Sequence, residues 1–285
     1  MLPHLLFRCF KGLCFIGREQ KKNGKPLHKK VALITGSTSG IGKGIAESLA
    51  NHGCDVIING FGDQEEIKKL CADIAMTYSV RAEFVGADLS KVPEIEDLHE
   101  AILKLFPEGL DILVNNAGIQ HLSPVESFPV EKWDFMISLM LSAPFHLTRL
   151  FLPYMKQKGW GRIINISSAH GHVASPNKCA YVSAKHGLIG LTKTVAVEVA
   201  GSGVTCNAIC PGYVETPLFL KQAADRSKDQ GISFEQAKSQ IVGIHSSKEP
   251  VKIEQVGEIA AFLCSPAADQ ILGTSIMVDG GWTIK

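Results

Sequence analysis

No Cys-x-x-Cys pair occurs in this chain, and its eight cysteines (Cys9, Cys14, Cys54, Cys71, Cys179, Cys206, Cys210, Cys264) are scattered without the spacing of metal ligands. The pattern gives no metal site and reads as reduced, mostly buried thiols of an intracellular protein. No uninterrupted apolar stretch reaches the roughly 18 residues that a membrane span needs. An excess of either charge is missing too: 29 Lys and Arg stand against 28 Asp and Glu, a formal net charge of +1. No global field therefore points to nucleic acid or to an anionic membrane as partner. Acids are scarce at the start, where Arg8, Lys11, Arg18, Lys21, Lys22 and Lys25 face Glu19 alone, with Leu5, Leu6, Phe7, Phe10 and Leu13 interleaved. Residues 1–28 thus match a basic mitochondrial leader, except that the stretch lacks Ser and Thr; a basic tail on a cytoplasmic protein is the alternative.

At 285 residues and 45% hydrophobic composition, the chain beyond that leader, 29–285, suits one large α/β domain. Val31 to Thr35 (VALIT) is a short β-branched run of the kind found in buried parallel strands. It leads into a turn bearing Gly36, Gly40 and Gly42, followed by an amphipathic helix ending near Gly53. The spacing is not G-x-G-x-x-G, but strand, glycine turn and helix together suit a pyrophosphate at a helix N-terminus. A second strand, DVIIN, ends without an acid or a base; Asp63 is close, no Lys or Arg appears until Lys68, and Ser39 precedes Gly40. These features favour NAD over NADP. A third strand carries Asp88, which can meet an adenine edge, cap the helix beginning near Pro93, or do both. The fourth, DILVNNAG, places Asn115, Asn116, Ala117 and Gly118 at its carboxyl end. The alternation predicts a doubly wound, Rossmann-type parallel sheet with its ligand at the strand ends.

RIINIS is a further strand, followed by Ser168. Tyr181 and Lys185, four apart, share one helix face, where a cation favours the phenolate form of a neighbouring phenol. Between Leu218 and Lys252 the chain turns polar and helical, which suits a lid over about 214–250.

TGSTSGIG, NNAG, the serine-bearing strand, Tyr181-x-x-x-Lys185 and PGYVETP (Pro211 to Pro217), in this order, resemble the short-chain dehydrogenase/reductase family. The resemblance implies a nicotinamide cofactor held by Gly36, Thr38, Ser39, Gly40, Ile41 and Gly42 at the turn, and by Phe61, Asp88 and Leu89 beyond it. Asn115, Ala117, Gly118, Tyr181, Lys185, Pro211, Gly212, Val214 and Thr216 complete the implied cofactor set. Ser168, Tyr181 and Lys185 are the implied catalytic residues, with Lys185 depressing the tyrosine, and the implied assembly is a homotetramer. GIQH, SSAHG, Asn177-Lys178, Gln222 and the terminal VDGGW are similar to the soluble, bacterial-type D-3-hydroxybutyrate dehydrogenases. That narrower likeness implies NAD-dependent interconversion of D-3-hydroxybutyrate and acetoacetate, with Gln120, His170, Lys178 and Gln222 on the substrate carboxylate beside Ser168, Tyr181 and Tyr213.

Two residues depart from the pattern. Tyr213 replaces a Trp near the substrate, and Met140 stands where the family's fourth catalytic residue is an Asn. Pro144, four residues after Met140, has no N–H for carbonyl 140, so that carbonyl can still serve a water relay. Alternatives are a reductase of another small carbonyl compound, or an NAD-binding protein impaired by Met140.

Overall fold

The computed structural model describes residues 24–284. The leader assigned to 1–28 falls largely outside the described residues, but its last part belongs to the folded domain. Leu27 N–H donates to the His52 carbonyl at 3.0 Å, and its side chain is 2% exposed in the core. The domain therefore begins before the boundary set at residue 29.

Seven parallel strands form one sheet in the order β3-β2-β1-β4-β5-β6-β7. They are β1 Val31–Ile34, β2 Asp55–Ile58, β3 Ala82–Phe84, β4 Ile112–Asn115, β5 Gly161–Ile166, β6 Val204–Pro211 and β7 Ser275–Val278. Alternation along each strand sends apolar side chains to both faces. Ala32 and Ile34 pack with Ile45 and Leu49 of α1 (Gly40–Asn51), Ile74 of α2 (Gln64–Tyr78) and Val256 of the last long helix. Val31 and Leu33 face the other side, with Ile95 and Leu98 of α3 (Val92–Leu105). The sheet order turns back at β1 and β4, and this opens a crevice at their carboxyl ends.

A continuous helical segment runs from Val130 to Lys158, long and apolar enough by composition to cross a membrane. Here it is a core element: Met136, Leu147, Phe151 and Met155 are buried. It comprises α4 (Val130–Ile137), a wide π turn over Ser138–Ser142, and α5 (Ala143–Lys158). At the turn Ala143 N–H bonds the Ser138 carbonyl. Tyr181 and Lys185 ride on α6 (Cys179–Val199). The expected lid is a helical hairpin, α7 (Pro217–Gln230) and α8 (Phe234–Val242), closed by Phe219, Ala223, Ile241 and Val242. Its base is joined by a bridge between Val214 and Val251 and by an ion pair between Lys238 and Glu215. Helix α9 (Ile253–Leu263) returns to the sheet against α1. The six described cysteines are free, and Cys54, Cys206, Cys210 and Cys264 are buried.

Leu27→Ala should lower unfolding free energy by about 2–4 kcal/mol through loss of core packing, read as a shift in urea midpoint. A change within experimental error would place Leu27 outside the cooperative domain.

Candidate active site

The glycine turn follows directly from β1. Gly36 takes a left-handed φ of 63°, and a Cβ there would sit 2.9 Å from the Ala117 backbone. A Cβ on Gly42 would run into the Gly36 carbonyl, so only glycine lets α1 approach the turn this closely. Ser39, at the N-cap, spends no side-chain hydrogen bond on the first-turn amides, which leaves them to a ligand.

The turn is clamped from β4. Thr35 Oγ1 accepts the N–H groups of Asn116 and Ala117 at 2.9 and 3.0 Å, and Asn116 Nδ2 donates to the Thr35 and Gly36 carbonyls at 2.8 and 3.1 Å. Asn115, the expected cofactor residue, points elsewhere. Its Nδ2 donates to Asn165 Oδ1 at 2.8 Å inside the sheet, because alternate residues of a strand face opposite ways. Asn116 takes its place in the crevice.

That crevice, about 570 Å³, extends from Gly36, Thr38, Ser39, Gly40, Ile41 and Gly42 past Phe61, Asp88 and Leu89 to Ala117, Gly118, Pro211, Gly212 and Thr216. Its elongated glycine-floored shape fits a dinucleotide. Val214, also expected there, lines the smaller neighbouring cavity instead, held by its bridge to Val251. Asp63 is spent as the N-cap of α2, accepting Glu65 and Glu66 N–H at 2.9 and 3.0 Å. Asp88 does not cap α3, whose N-cap is Lys91. Its carboxylate accepts the Ser90 N–H and hydroxyl at 3.0 and 2.7 Å, and these bonds, Ser90's hydroxyl foremost, hold its pKa down.

Ser168, Tyr181 and Lys185 meet at the crevice floor. The Ser168 hydroxyl lies beside the Tyr181 phenol and donates to the Pro211 carbonyl at 3.5 Å, and its Oγ accepts the His170 N–H at 3.1 Å. Lys185 Nζ lies 5.6 Å from the Tyr181 ring centroid and donates to the Ile166 carbonyl at 2.7 Å. The expected depression of the tyrosine by the lysine is not what the structure shows. Burial pushes the phenol above its ordinary range, and the Ser168 hydroxyl opposes this. Burial brings the lysine down too, to about 8, which still leaves it mostly protonated at neutral pH.

Beside this trio lies a cavity of about 130 Å³ lined by Gln120, His170, Lys178, Tyr213, Gln222 and Trp282. His170 Nε2 lies 3.0 Å from Ser175 Oγ, and the ring stands edge-on to Trp282 at 4.8 Å. Burial, then Lys178, bring His170 down to about 4, so at neutral pH it is an uncharged donor or acceptor. Lys178, its pKa lowered by burial, sits 5.8 Å from the Tyr213 ring centroid.

Residues 30–227 match the short chain dehydrogenase family. The chain belongs to that family. It is 52% identical to a D-beta-hydroxybutyrate dehydrogenase of Cupriavidus necator over 264 residues, 91% of this chain and all of that protein. A protein of the same name from Rhizobium meliloti is 51% identical, over 90% of this chain and 99% of its own. L-Sorbose reductase of Gluconobacter frateurii, solved with NADPH and L-sorbose, superimposes with a TM-score of 0.86 at 30% identity, covering 91% and 98% of the two chains.

Within this short-chain dehydrogenase, Met140 is no direct catalytic group. Its side chain is 1% exposed, packed with Met136, Ala180 and Ala184 beneath Tyr181. The residue four on is Pro144, inside the first turn of α5, so the carbonyl of Met140 has no α-helical donor. The sequence argument placed Asn116 at the strand end but gave it no role in the cofactor set, which the strand period could have done. It also gave Trp282 no role, since only folding brings the chain's end beside Tyr213.

Histidine 170 binds fewer protons in the native than in the unfolded chain between about pH 4 and 6.5. Stability should therefore fall by up to about 3 kcal/mol as pH drops through that window. His170→Gln should flatten that limb of the urea-midpoint profile, and an unchanged limb would contradict the assignment.

Proposed function

We propose that the protein interconverts D-3-hydroxybutyrate and acetoacetate with NAD as cofactor. The observation that carries this reading is the small cavity beside Ser168 and Tyr181, in which Lys178 offers one cation and Gln120, His170 and Gln222 offer neutral partners to a short carboxylate. The two bacterial relatives support it by name and by near full-length match. NAD is favoured because the crevice beyond β2 is lined by Asn59, Gly60 and Phe61. Among its described lining residues, Lys185 alone is cationic, so nothing near β2 suits a 2′-phosphate. Assembly into homotetramers belongs to the same reading, supported by the exposed apolar Val130, Trp133 and Phe145 along α4 and α5.

When bound, the cofactor supplies the hydride acceptor. The glycine turn would hold its phosphates, with Asp88 and Leu89 near one end and Ala117, Gly118 and Lys185 near the other. Tyr181, once ionised, takes the proton of the substrate hydroxyl, and Ser168 hydrogen-bonds the same oxygen. Because burial holds the phenol high, the base form must be gained by raising pH. The logarithm of kcat/KM for oxidation should rise from neutrality with a slope of about one. A profile flat from pH 7 to 9 would exclude Tyr181 as the titrating base.

The carbonyl of Met140, to which Pro144 can offer no N–H, is the place assigned to a water leading to Lys185. Met140→Asn should then change kcat by less than about threefold and Pro144→Ala lower it about tenfold. The reverse pattern would make Met140 a lesion.

The deciding experiment is NADH formation with each enantiomer of 3-hydroxybutyrate, repeated with NADP, beside an NAD binding titration. D-selective turnover with NAD is expected, and Tyr181→Phe should lower kcat by about 10²–10⁴ without loss of NAD binding. Binding without turnover of any short hydroxy acid would leave a cofactor-binding protein, and turnover of a different acid would leave the broader reductase.

A further inference from the structure

His245 is fully buried (0% exposed) in the loop between α8 and α9, outside the residues that line either cavity. Its Nε2 lies 3.0 Å from the backbone nitrogen of Tyr213, and its Nδ1 lies 2.8 Å from the Glu249 carbonyl oxygen. A backbone N–H can only donate and a carbonyl can only accept. Nε2 must therefore present its lone pair and Nδ1 must carry the proton, so both ring nitrogens are committed in the neutral imidazole.

Three chain segments converge on this ring. The first is the end of β6, where a Cβ on Gly212 would come within 2.5 Å of Nε2. The second is the return from the lid, where Val251 N–H donates to the Tyr213 carbonyl at 2.9 Å. The third is the C-terminal turn, where Ser247 N–H donates to the Gly280 carbonyl at 3.0 Å and Ser246 Oγ to the Gly281 carbonyl at 2.8 Å. Tyr213 then stacks on Trp282 with planes 1° apart and centroids 5.7 Å apart, and both rings wall the small cavity. The rings of His245 and Trp282 lie 6.2 Å apart.

We propose that His245 is a positioning residue for the substrate: by accepting the Tyr213 N–H while tied to Glu249, it fixes the Tyr213–Trp282 wall that sets how long an acid the small cavity admits. The inference rests on the reading of that cavity as a hydroxy-acid site. Nothing else among the described residues bonds the Tyr213 N–H, so its loss lets residues 212–213 shift and the stack slide. The trio at Ser168, Tyr181 and Lys185 stays where it is.

Two amide variants separate the bonds. In His245→Gln the amide oxygen can reach the place of Nε2 and meet the Tyr213 N–H. In His245→Asn the shorter amide reaches only the Glu249 carbonyl. With the full chain, His245→Asn should raise KM for 3-hydroxybutyrate about tenfold, leave kcat and the KM for NAD within about twofold, and lose most of the parent's preference over 3-hydroxypentanoate. His245→Gln should stay near the parent. Protein labelled with 5-fluorotryptophan gives a readout that needs no substrate: the Trp282 line, assigned with Trp282→Phe, should move in the asparagine variant and not in the glutamine variant. Equal behaviour of the two variants overturns the proposal, and so does failure of both to fold and bind NAD, because His245 would then hold the core and not the wall. If the parent turns over no hydroxy acid, the proposed function fails on that measurement alone, while the fluorine lines still decide for or against His245.

Discussion

The side chains of Thr35 and Asn116 tie the end of β1 to the end of β4, through two amides on one hydroxyl and one amide on two carbonyls. These strands are neighbours in space yet far apart in the chain, and they sit where the order of the sheet reverses. Parallel strands diverge past their last ladder bond, and without the clamp the glycine turn would have no floor. With it, Gly36 stays left-handed against Ala117, α1 can start close to the turn, and the crevice keeps its length. The cofactor-binding face is therefore a consequence of backbone groups satisfied across the switch point.

Dryness governs the chemistry at the other end of that crevice. Burial acts on each titratable group in the direction of its neutral form: Tyr181 goes up, while Lys185 falls to about 8 and His170 to about 4. Desolvation is the largest influence on the Tyr181 phenol, and its neighbour Lys185 turns its ammonium to the Ile166 carbonyl. Lys185 is buried and Lys178 half-buried, and both lie below the ordinary lysine range. Lys178 lines the small cavity beside Ser168, Tyr181 and Lys185.

Geometry around this dry centre comes from three irregular pieces of chain. The π turn at Ser138–Ser142 lets Met140 sink beneath Tyr181 as a packing group, and Pro144 withholds the N–H that carbonyl 140 would otherwise take. The hairpin of α7 and α8 closes one side of the small cavity with Phe219 and Gln222. The C-terminal turn brings Trp282 against Tyr213, and His245 joins that turn to the base of the lid. Each device works by satisfying a backbone group in a place where regular secondary structure has ended.

Local patterns were enough to establish the alternation of strands and helices, the glycine turn, the Tyr181–Lys185 face and the helical character of the segment after Leu218, because each depends on residues close in the chain. The resemblance to the family, and no local pattern, marked Met140 and Tyr213 as departures. Which asparagine of Asn115 and Asn116 enters the crevice, where Asp63 and Asp88 spend their oxygens, and the upward pull on Tyr181 were settled only by the folded chain. So were the inclusion of Leu27 in the core and the meeting of His245, Tyr213 and Trp282. These depend on which face of a strand is covered, on how much water is excluded, and on contacts between segments distant in the chain, and no local run of residues encodes such quantities alone.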